Sequence, residues 1–206
     1  MILARTFTQA EENDYERLAA ASGRLRALLE AFAEDRLPSN YGPEQLAGYG
    51  KSLLKARRED GSFSSYEDLD DLEPDVRTDA HRFVTWAALA FLCRLRAVHP
   101  GAAAGIDGLD EVIRAGLRSP CAADFSFPES GDAAVVQQVE AVLLLSSGHV
   151  PKLLDNDADL APKLKTALEG LAAEFRRKLN SGDTKLIQGI DYAPLYARAA
   201  AALGGR

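Results

Sequence analysis

Cysteine and histidine are scarce in this chain, at two and three residues, and no Cys-x-x-Cys pair or Cys/His cluster brings them to metal-ligand spacing. Cys93 and Cys121 could form at most one bridge, and outside a disulfide framework they read as reduced and buried. Long apolar runs are missing as well. No segment approaches the roughly 18 uncharged residues of a membrane-spanning helix, and the apolar run in MILARTFTQAEEN is too short for a secretory core. Positive charge is in deficit: 24 basic against 31 acidic residues give a net charge of −7, which argues against nucleic acid or an anionic membrane as the main partner. There is no GxSxG elbow to expose a nucleophile and no glycine loop to cradle a phosphate. These absences describe a cytoplasmic protein whose 206 residues suffice for one domain, 1–206, with its own core.

What is present is helical periodicity, punctuated by Gly, Pro and Asp. The pattern predicts about seven helices. The first spans about residues 9 to 36, with Thr8 and Glu11 as a capping box. The second opens at Gly42-Pro43 and carries Leu46, Tyr49, Leu53 and Leu54 to Arg58, where Asp60-Gly61 stops it. The third, from Val76 or Thr78 to Val98, presents Phe83, Trp86, Ala87, Ala90, Phe91 and Leu95 and forms the centre of the core. The fourth, capped by Asp107, repeats Leu109, Val112, Ile113 and Leu117 up to Ser119-Pro120. The fifth, from Ser130 or Asp132 to Gly148, is apolar enough to be buried. The sixth places Leu160, Leu164, Leu168, Leu171 and Phe175 on one face, and the seventh, capped by Asp191, runs through Leu195, Ala199 and Leu203. TKLIQGI, residues 184–190, is short and apolar and stays ambiguous between strand and helix. The expected fold class is all-α, with helical hairpins stacked antiparallel in a partial toroid or an irregular bundle.

Between the second and third helices lies DGSFSSYEDLDDLEPDVRTD, with seven acidic residues from Glu67 to Asp79. A hydrated connector is the simplest account of such a run. Leu69, Leu72 and Val76, however, could pin it to the body and orient its carboxylates. The segment Leu53 to Phe63, LLKARREDGSF, resembles the helix end and turn of repeats in the terpenoid cyclases and protein prenyltransferases, the α/α toroid families. Its local sense is that Gly61 supplies a left-handed backbone, Asp60 accepts backbone donors and Phe63 folds back on the hairpin. Asp68-Leu69-Asp70-Asp71 also resembles the DxDD motif with which class II terpenoid cyclases protonate an alkene. That resemblance implies Asp70 as proton donor, with Asp68 and Asp71 beside it. Leu72-Glu73 stands where the family usually has Thr-Ala, and the chain is poor in aromatics that would steady a carbocation.

Crowded carboxylates cannot all ionise in a dry pocket, so one keeps its proton and becomes an acid catalyst. His81 follows the run directly and would serve as a base or charge partner. As oxygen donors, Asp70, Asp71 and Asp75 would suit Mg²⁺ or Ca²⁺, the divalent ions such a run admits, although the spacing is DDxxxD and no calcium-loop glycine is present. No other cofactor is expected. A second loop, DFSFPESGD, follows the fourth helix as the first follows the second. Hairpins stacked in register would open both loops at one end. The functional expectation is a non-catalytic binding or interaction module with a protein or small-molecule ligand. The alternative is an enzyme using Asp68, Asp70, Asp71 and His81 on an isoprenoid-like or other small substrate. A partial stack leaves an apolar end that a homodimer could close.

Overall fold

The computed structural model describes residues 42–64, 74–122, 142, 145, 149–155, 157–184 and 191–204. These form seven helices: α1 Pro43–Lys55, α2 Pro74–Val98, α3 Pro100–Ala104, α4 Leu109–Arg118, α5 His149–Leu154, α6 Leu160–Ser181 and α7 Ala193–Gly204. No β-strand runs among the described residues, so the fold is all-α. The expected first helix lies outside the described residues. So does the expected fifth, apart from Val142 and Leu145, which are helical and buried.

Helix α2 is the axis on which the rest is built. Val84, Trp86, Ala87, Ala88, Leu89, Phe91, Leu92, Cys93 and Leu95 are all buried, so the helix is covered around its girth and not along a single stripe. Two helices flank it. On one side Gly50 of α1 approaches Leu95, and farther along that segment Phe63 meets Thr85, so α1 runs antiparallel to α2. On the other side Asp110 of α4 pairs with Arg96 at 3.2 Å, and Gly116 packs on Leu89. That order makes α4 antiparallel to α2 as well. Glycine sits at both contacts: a Cβ at Gly50 would lie 3.4 Å from Leu95 Cδ2 and closer still to the tip of Ile106, and one at Gly116 would come within 2.6 Å of Leu89 Cδ2, so these side-chain tips would have to move aside.

Helix boundaries follow local chemistry. Gly42, with Gln45 accepting from its amide at 3.2 Å, opens α1 ahead of Pro43. The third expected helix begins two to four residues earlier than its periodicity shows, at Pro74, which suits a first turn because it has no amide to leave unbonded. Pro100 does not simply end α2: it starts the one-turn α3 after a break at His99. Helix α4 is capped by the left-handed Gly108 at φ 65°, not by Asp107.

Helix α6 also takes an unexpected cap. Asp157 Oδ1 accepts from the amides of Asp159 and Leu160 at 3.2 and 3.0 Å, while its Oδ2 receives Arg118 from the end of α4 at 2.6 Å. One carboxylate thus starts α6 and fastens it to the body of the protein. Its pKa is held below the ordinary value, first by the Leu160 amide and then by Arg118. At the other end Gly182, at φ 70°, closes α6. Phe175 and Lys178 of α6 meet Tyr196 near the start of α7, with the two rings 5.2 Å apart and the ammonium donating to the phenol oxygen at 3.3 Å. Leu203, at the far end of α7, lies back beside the middle of α6. Helices α6 and α7 are therefore an antiparallel hairpin, entered through Asp191, which accepts from the Ala193 amide at 2.9 Å as a cap should.

Candidate functional site

Asp68, Asp70 and Asp71 lie outside the described residues. Asp75 lies in the first turn of α2, and only its backbone is described. His81, one turn and a half further along, is half-buried, and Arg58 Nη1 lies 3.4 Å from its Nε2. A guanidinium can only donate, so this contact is a hydrogen bond in the tautomer that leaves Nε2 unprotonated. Asp60 also feels His81, though more weakly than it feels Ser62.

Around His81 the DGSF turn is locked to α2 and to the turn that follows α4. Arg57 and Phe63 form an isolated antiparallel bridge, with Arg58 N donating to Ser62 O at 2.8 Å and Ser64 N to Ala56 O at 2.9 Å. Asp60 Oδ1 receives both the amide and the hydroxyl of Ser62, at 2.9 and 2.6 Å. Those donors hold the Asp60 carboxyl below its ordinary range. Phe63 is fully buried, and its amide donates to Thr85 Oγ1 at 3.0 Å while the Thr85 hydroxyl turns to the Phe63 carbonyl at 3.4 Å. Cys121, half-buried and not fully covered as its sequence suggests, sets its thiol against the Thr85 and Ser62 hydroxyls.

Cys121, just after α4, thus touches the first turn. The second loop itself, residues 124–132, lies outside the described residues. Chemically the joint is quiet. Burial pushes the Cys121 thiol up and Cys93 higher still, so neither supplies a thiolate at neutral pH. Asp60 is an ionised acceptor with its donors in place, not a proton-holding acid. Among the described residues no three His, Cys, Asp or Glu side chains gather as metal donors. Asp70 and Asp71 are not in that set, and the divalent-ion expectation stands where the sequence left it.

A recess of another kind lies between α5, α6 and α7. It has a volume of about 570 Å³, and Leu154, Leu164, Leu168, Ala172 and Leu203 form its apolar floor and wall. Asp155, Lys165, Glu169 and Arg176 stand around it. Among the described residues no ion pair engages these four, whereas neighbours on the same helix are matched: Lys163 with Asp159 at 3.0 Å and Arg177 with Glu174 at 2.8 Å. The α6 contributors fall at 161, 164/165, 168/169, 172 and 176, a stripe that follows the helix axis. Ala161 and Ala172 are the small residues in that stripe, and Ala172 lies between Leu168 and Arg176.

Sequence reasoning identified the leucine face of α6 but not the recess. The available signal was the second stripe, Lys165, Glu169, Ala172 and Arg176, displaced by one residue from the leucines and broken by an alanine. No helix among the described residues is long and apolar enough to cross a membrane. Comparison of the chain with protein-family models, with characterised proteins and with solved structures returns no match.

Proposed function

We propose that this protein is a non-catalytic binding module whose ligand lies in the groove between α5, α6 and α7. One observation carries the reading: an apolar recess of about 570 Å³, within the usual range for small-molecule sites, is bordered by charges that no partner among the described residues neutralises. A packed surface offers an apolar ligand nothing. Here the floor offers burial and the rim offers orientation, the combination from which such sites are built.

Titration with the apolar fluorophore 1-anilinonaphthalene-8-sulfonate tests the proposal. A saturable site of unit stoichiometry is expected, weakened at least tenfold by Ala172→Phe, which fills the floor, and unchanged by Asp70→Asn/Asp71→Asn. Binding that ignores Ala172→Phe and disappears in the aspartate double variant would move the site to the acidic segment and overturn the reading.

A further inference from the structure

We draw no further inference here: the strongest candidate, the apolar groove between α5, α6 and α7 lined by Leu154, Leu164, Leu168 and Leu203, belongs to the site already described, and nothing in the structure shows what covers it.

Discussion

Replacing Gly61 with alanine isolates what holds the DGSF turn in place. Gly61 has φ 86°, and a Cβ there would lie 2.5 Å from the Ala115 carbonyl oxygen and 2.9 Å from its carbon. A left-handed backbone alone costs a non-glycine residue about 1–2 kcal/mol. The clash is with backbone, which cannot swing aside like a side-chain tip, so the turn must lift away from α4. Lifting it loosens the Phe63 contacts with Thr85, about 1 kcal/mol for each hydrogen bond, and exposes part of a fully buried phenylalanine, worth about 1.5–3 kcal/mol in all. The expected loss for Gly61→Ala is therefore about 3–5 kcal/mol. Gly108→Ala is the internal control: its φ is 65° but nothing lies within 4 Å of its Cβ position, so it should cost only the left-handed penalty, about 1–2 kcal/mol. Urea unfolding at equilibrium measures both. Equal losses for the two variants would refute the close approach of this turn to α4.

Three further outcomes follow from the same structure. Thr85→Val leaves the amide of buried Phe63 without its acceptor and should destabilise by about 1–3 kcal/mol in the same urea assay, whereas a neutral result would mean that the hydroxyl is not the partner. The Asp60 carboxyl is held below 3.8 chiefly by Ser62, so the native state binds fewer protons than the unfolded chain and its contribution is complete above about pH 5, then declines as pH falls through 4. Asp60→Asn should flatten that acid limb of the stability curve, and an unaltered limb would show that Asp60 is not its source. Magnesium at millimolar concentration should leave the melting temperature unchanged on the binding reading. A stabilisation near the 2.7 kcal/mol expected at one hundred times Kd, abolished by Asp70→Asn/Asp71→Asn, would install a metal at the acidic segment instead.

The parts of the fold that were legible in the sequence are those encoded locally. Leucines at 160, 164 and 168 announce α6, Gly42-Pro43 announces α1, and Asp191 caps α7 as its spacing implies. The short helices α3 and α5 were not legible, because one turn or so of chain holds too few residues to display a period. Nor was the cap on α6, since Asp157 owes its position to Arg118, 39 residues earlier. The groove is hidden for the same reason in stronger form. Its walls come from Leu154, from α6 and from Leu203, and only packing brings them together. Conversely, the acidic run drew notice because charge is conspicuous in sequence, while an alanine that leaves room is not.

Amide chemical shifts of uniformly ¹⁵N-labelled protein, followed during titration with 1-anilinonaphthalene-8-sulfonate, test the central claim most directly. The account predicts saturating shifts confined to residues lining the groove, at Leu154, Leu164 to Ala172, Arg176 and Leu203, with Asp60 to Phe63 and His81 unmoved. Shifts centred on His81 and the DGSF turn, with α6 silent, would contradict it.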